Sequence, residues 1–162
     1  MPPKKKKKPK HFSVNDSDPF LLTDYSFKVI IRGRPLVWKR VGWRYGGTFT
    51  PSKPMQDEFC NQVENLFTVK GLPFLNFGDS ELEASIQFCL PLPVKSGKIT
   101  APPDVDNLLK FIFDSLQGSF YTNDSVITKL RNIEKKYDGA FRGQGYTVLY
   151  LARRVIEIET DE

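Results

Sequence analysis

The sequence predicts an α+β domain, a mixed β-sheet packed by two amphipathic helices in the order β(β)αβαββ. Three observations carry that prediction. Val105, Leu108, Leu109, Ile112, Phe113 and Leu116 fall on one helical stripe. Met55, Phe59, Val63, Leu66 and Phe67 recur at the same spacing upstream. Between them, Leu82, Ala84, Ile86, Phe88 and Leu90 alternate with more polar residues, the period of a half-buried strand.

The elements follow in order. Residues 1–19 are rich in Lys, Pro, Ser and Asp and lack periodicity, so they read as a disordered basic tail. YSFKVIIRG (25–33) is a β-branched and aromatic run that Gly33 ends as a strand. The basic, aromatic stretch that follows reads as a loop and an irregular hairpin turning at Gly46-Gly47. Pro51–Val69 is the first helix, with Ser52 placed to cap it. Glu81–Leu90 is a strand, and residues 91–103 form a Pro- and Gly-rich loop carrying Lys95 and Lys98. Val105–Gln117 is the second helix, closed by Gly118. Val126–Tyr137 and Gly145–Arg153 read as a pair of antiparallel strands, the second apolar in both phases and therefore central. The folded domain spans 20–155, and an acidic tail spans 156–162.

Composition bounds the function. A chain of 162 residues has room for one domain, and 40% apolar with 13% aromatic residues is enough for a core. No run reaches the roughly 18–20 apolar residues of a membrane helix, and the N-terminus has no apolar core of a secretory signal. Cys60 and Cys89 are too few for a disulfide framework or a zinc site, and read as reduced core residues of an intracellular protein. Residues 1–11 hold six of the 24 basic side chains and no acid. Without them and the four acids after Arg154, the middle carries 18 basic against 15 acidic groups. A nucleic-acid surface on the body must therefore come from clustering. The run Lys4–Lys8 fits a nuclear import signal, a phosphate contact or a solubilising tail. The first implies the nucleus of a eukaryotic or viral host, and otherwise the cytoplasm is expected.

The informative segment is APPDVDNLLK (101–110), followed by Asp114 and by YTNDS (121–125). Residues two apart on a helix point about 200° apart. Pro102-Pro103, however, forces extended backbone, so Asp104 can serve as N-cap and converge with Asp106 in the first turn. Lys110 lies one turn later on the same face. Asp124 falls where the chain enters the next strand, at the same end of the sheet as the helix start if the helix packs antiparallel to that strand. Two readings stand. In one, Asp104 is a cap, Asp106 pairs with Lys110, and Asn123-Asp124 are turn residues. In the other, three carboxylates without His or Cys partners select Mg2+, or Mn2+ in its place, and a lysine contacts phosphate. The sole histidine, His11, lies in the tail, which disfavours zinc and Ser–His chemistry.

PDVDNLLK, then FDSLQG, then a YxxDS turn before a strand resemble the signature of the RusA family of Holliday junction resolvases. The turn Gly33-Arg-Pro35, the cluster Lys39, Arg40 and Arg44, and Pro91 with Pro93 at a strand end fit as well, so the likeness runs from about Phe27 to Tyr150. The resemblance implies a RusA-like fold and a homodimeric, Mg2+-dependent endonuclease acting on four-way DNA junctions. It makes Asp104, Asp106 and Asp124 metal ligands and Lys110 the catalytic or phosphate-contacting lysine. It places Asn107 in the motif without a derived role, and gives Asp114 a structural part at the helix end. Asn123 stands where the family has the first acid of a pair, and Pro102 where members often carry a basic residue.

Lys39, Arg40, Arg44, Lys95 and Lys98 are the expected phosphate contacts, which position DNA without reading sequence. In the blander reading Trp38 and Trp43 pack that stretch on the sheet. Paired nicks on opposed strands call for two equivalent sites, so a two-fold dimer is the physical expectation, with Leu72–Phe77 one guess at its interface. The resemblance implies branched DNA as the partner, and no membrane or small-molecule cofactor is expected. Two rivals remain: an inactive junction- or DNA-binding protein on the same fold, and an unrelated α+β interaction module whose acids only cap helices.

Overall fold

Burial alternates along Ser26–Arg32, and the alternation fixes which side of the sheet is the core. Phe27, Val29 and Ile31 are fully buried, whereas Lys28 and Arg32 face outward. The computed structural model describes residues 11–39, 42–44, 47–49, 52–91, 94–95, 98–99, 103–138 and 144–154. In chain order the elements are β1 (Leu21–Leu22), β2 (Ser26–Arg32), β3 (Gly42–Arg44), β4 (Gly47–Phe49), α1 (Lys53–Val69), β5 (Leu82–Pro91), β6 (Val94–Lys95), β7 (Lys98–Ile99), α2 (Val105–Leu116), β8 (Ile127–Asp138) and β9 (Tyr146–Arg153). A 3-10 turn, Asp124–Val126, leads into β8.

The principal sheet has five strands in the order β1-β2-β9-β5-β8. It is mixed: β9 runs antiparallel to both β2 and β5, and β5 runs parallel to β8. Both helices lie on one face. Phe59, Val63, Leu66 and Phe67 of α1 and Leu108, Phe111, Ile112 and Leu116 of α2 join the inward residues of β2, β5 and β9 in one core cluster. Each such side chain contributes roughly 1.5–3 kcal/mol on burial. Interlocked rings fix the shape of this core, with Phe27 against Phe67, Phe77 and Phe120 at 5.3–6.0 Å.

The fold class is the one the sequence predicts, and β9 is central as its two apolar phases require. Four details differ. First, β8 and β9 run antiparallel but are not neighbours, because β5 lies between them. Second, the loop 91–103 contains a short hairpin, β6 on β7. Third, Gly47, expected in the turn of the first hairpin, belongs to strand β4 and pairs with Arg44. Fourth, residues 11–19, expected in the basic tail, include contacts with the domain. Phe12 is 1% exposed, its N–H donates to Glu58 Oε1 at 3.0 Å, and Ser13 exchanges backbone hydrogen bonds with Arg32. Residues 1–10 and 155–162, which hold the lysine run and the acidic tail, lie outside the described residues.

Gly33 shows why this edge closes as it does. Its φ of +127° is left-handed territory, and an added Cβ would collide with the His11 carbonyl. Its N–H donates to the Gly145 carbonyl at 3.1 Å, so the turn after β2 is stitched to the entry of β9. Both cysteines are buried and unpaired. Of the Leu72–Phe77 stretch, Phe77 is core, while Leu72 and Phe74 stay exposed. No helix among the described residues is long and apolar enough to cross a membrane.

Candidate active site at the start of the second helix

Pro103 brings the chain to α2 in an extended path, and Lys135 of β8 fixes it there by donating to the Pro103 carbonyl at 3.0 Å. Asp104 is the N-cap residue, with φ −69° and ψ 139°, and its carbonyl accepts from Leu108 N–H. Its carboxylate makes no capping bond. Asp106, in the first turn, is exposed and has no hydrogen bond or ion pair among the described residues. The reading of these acids as a cap and a helix pair therefore fails in its specifics: the cap bond is not made, and Lys110 pairs elsewhere.

Lys110 points the other way along α2. Its Nζ lies 3.5 Å from Asp114 Oδ2 and 4.8 Å from the centre of the Trp38 ring. Trp38 is half-buried against the core. Its backbone N–H donates to the Asn107 carbonyl at 3.0 Å, and the backbone N–H of the next residue, Lys39, donates to Ser52 Oγ at 2.9 Å. Ser52 thus spends its hydroxyl on tying Lys39 to the start of α1, and makes no side-chain cap bond to that helix. The backbone of Asn107, a motif residue without a derived role, is the dock for the preceding basic segment.

Asp124 lies elsewhere. Its N–H donates to Gln117 Oε1 at 3.1 Å, which places it at the C-terminal end of α2. The 12 residues of α2 separate its ends by about 18 Å. Measured along β8, from Ile127 to the Lys135 that holds Pro103, the strand rises about 26 Å. Oxygens sharing one Mg2+ sit about 2.1 Å from it, hence within about 4 Å of each other. The helix does run antiparallel to β8, but an antiparallel helix starts beside the strand's end, so this packing separates Asp124 from Asp104 and Asp106. Among the described residues no group of three acids, His or Cys converges within the chain. Asp104 and Asp106 are exposed carboxylates, oxygen donors of the hard kind that divalent cations take.

At the far end of α2 the acids have another neighbour. Tyr121 is 1% exposed and donates its hydroxyl proton to the Phe113 carbonyl at 2.5 Å. Burial, and then the negative charges of Asp124 and Asp114, hold its phenol well above the ordinary pKa. Asn123 accepts the Ser125 N–H and caps the 3-10 turn, leaving Asp124 half-buried.

Of the expected DNA contacts, Lys39 is exposed, close to Trp38. Arg40 lies outside the described residues. Arg44, Lys95 and Lys98 are described in backbone only, in the two small hairpins. Nothing in the sequence marks Trp38, Lys135 or Gln117 as a partner of the motif. Only the i,i+4 spacing of Lys110 and Asp114 was a sequence cue to any of these contacts.

Exposed carboxylates at a helix start, with a lysine one turn on, are groups of the kind found in proteins that act on phosphodiesters. Comparison narrows the class. A family model described as Endodeoxyribonuclease RusA matches residues 29–142. The chain belongs to the RusA family, and that membership implies endodeoxyribonuclease activity and binding of branched DNA. No curated protein matches the chain.

Proposed function

We propose that the chain is a Mg2+-dependent, structure-selective endonuclease that resolves four-way DNA junctions by paired phosphodiester hydrolysis, working as a homodimer. The observation that supports this reading best is the pair of carboxylates at the start of α2, uncapped and free of ion pairs among the described residues. Buried or paired acids would be structural, whereas open ones at a fixed helix start are available to a cation. Mg2+ would supply a nucleophilic hydroxide at neutral pH and neutralise charge developing on the phosphate, and Mn2+ would substitute for it. Asp104 and Asp106 would hold it, Lys110 would face the phosphate, and Lys39, Arg40, Arg44, Lys95 and Lys98 would carry the DNA arms.

The distance to Asp124 bears on the oligomer. A two-fold axis that sets two β8 strands, and with them two α2 helices, antiparallel carries Asp124 of the partner subunit toward Asp104 and Asp106. Such a dimer has two equivalent sites, each incomplete without the other chain, and it presents them to two opposed strands.

Incubation with a synthetic four-way junction and Mg2+ tests the reading. Symmetric nicking supports it, while binding without nicking would leave a DNA-binding protein on this fold. Asp104→Asn, Asp106→Asn and Asp124→Asn should each abolish cleavage and leave junction binding intact or tighter, because the phosphates then meet less negative charge. Near-native cleavage by any one of them removes that residue from the ligand set.

A further inference from the structure

The pairing of Lys110 runs against the usual preference. On a helix, an acid four residues before a lysine makes the better pair, and long side chains lean toward the N-terminus. Both tendencies favour Asp106 as the partner of Lys110. The structure holds the ammonium 3.5 Å from Asp114 instead, beneath the face of Trp38 at 4.8 Å. Trp38 is itself fixed by its bond to the Asn107 carbonyl and by its neighbour's bond to Ser52.

We infer that Trp38 and Asp114 are positioning residues that hold Lys110 away from Asp106 and so keep that carboxylate open to a divalent cation. This rests on the reading of Asp106 as a cation ligand. Without the clamp, Lys110 swings back one turn and neutralises Asp106, and a cation must then compete with a covalently attached ammonium. The tryptophan acts by the negative potential of its ring face, and Asp114 by charge. The clamp also keeps the ammonium extended over the helix face, where a phosphate bound beside Asp106 would meet it.

The test is Mn2+ binding to the full-length protein by calorimetry, without DNA and without turnover. Trp38→Leu and Asp114→Asn should each weaken binding about twofold to fivefold, the size of one helix ion pair or one exposed cation–π contact. Trp38→Phe, which keeps an aromatic face, should bind nearly as the parent does. The decisive arm adds Lys110→Met. With no ammonium to misplace, Trp38→Leu should no longer weaken binding. An equal loss in the Lys110→Met background would show that Trp38 acts through the fold, and would overturn the inference. Asp106→Asn separates the two levels. If the parent binds Mn2+ and Asp106→Asn does not, the ligand reading holds, and a failure of the clamp variants then counts against the clamp alone. If Asp106→Asn binds as the parent does, the ligand reading itself falls.

Discussion

Cys60 and Tyr121 carry protons that the fold will not easily release. Burial raises the Cys60 thiol from 9.0 to about 11, with the Glu64 carboxylate, 3.4 Å away, adding to the shift. Tyr121 moves in the same direction. The unfolded chain gives up both protons more readily, so their contribution to stability is whole below the ordinary thiol pKa and drains away as pH climbs toward 11. Urea midpoints should fall through that window. Cys60→Ala should flatten part of the slope while lowering the plateau, and an unchanged slope would take Cys60 out of the account. Asp18 behaves in the opposite sense. Its hydrogen bonds to Arg32 hold the carboxyl below the usual range, so its contribution is present above the ordinary carboxylate pKa and lost on acidification. That effect is small, because the Arg32 side chain is 45% exposed and solvent screens the pair.

Elements of this fold owe their positions to partners distant in the chain, and α2 is the clearest case. Phe111 packs between Phe59 at 6.2 Å and Phe12 at 6.1 Å, so a residue from the N-terminal segment helps to seat the helix that carries Asp104 and Asp106. Phe12→Ala should cost about 3 kcal/mol in chemical denaturation, the usual penalty for emptying a buried aromatic site. A shift near zero would mean that the segment merely rests on the body. Nothing in the sequence marks Phe12, since one aromatic in a polar stretch has no period to betray it. The helices were legible because their apolar stripes span three or more turns, and β9 was legible as central because both of its phases are apolar. The neighbours of β8 were not. Strands consecutive in sequence usually pair, and only tertiary packing slides β5 between β8 and β9. The same step hid the true place of Asp124: its position before β8 could be read from the sequence, but the end of α2 it would meet depends on how the helix lies across the sheet.

At the scale of the molecule, the separated acids turn a question of chemistry into one of assembly. If the sites are shared across a two-fold dimer as proposed, Asp106→Asn and Asp124→Asn, each inactive alone, should regain nicking when mixed and allowed to exchange subunits, because one of the two sites in the mixed dimer then has every native residue. That dimer should cut only one strand of a junction, which denaturing electrophoresis distinguishes from paired cleavage. Silence on mixing would return the three acids to a single chain and demand a rearrangement of α2 to unite them. The placement of Phe12 has a separate consequence for the lysine run. Lys4 precedes this anchor by eight positions, so whatever path the chain takes, it strays no more than about 28 Å from the ring. On so short a leash, a polyanion resting on the body would meet these five lysines at an effective concentration set by tether length rather than by how much protein is present.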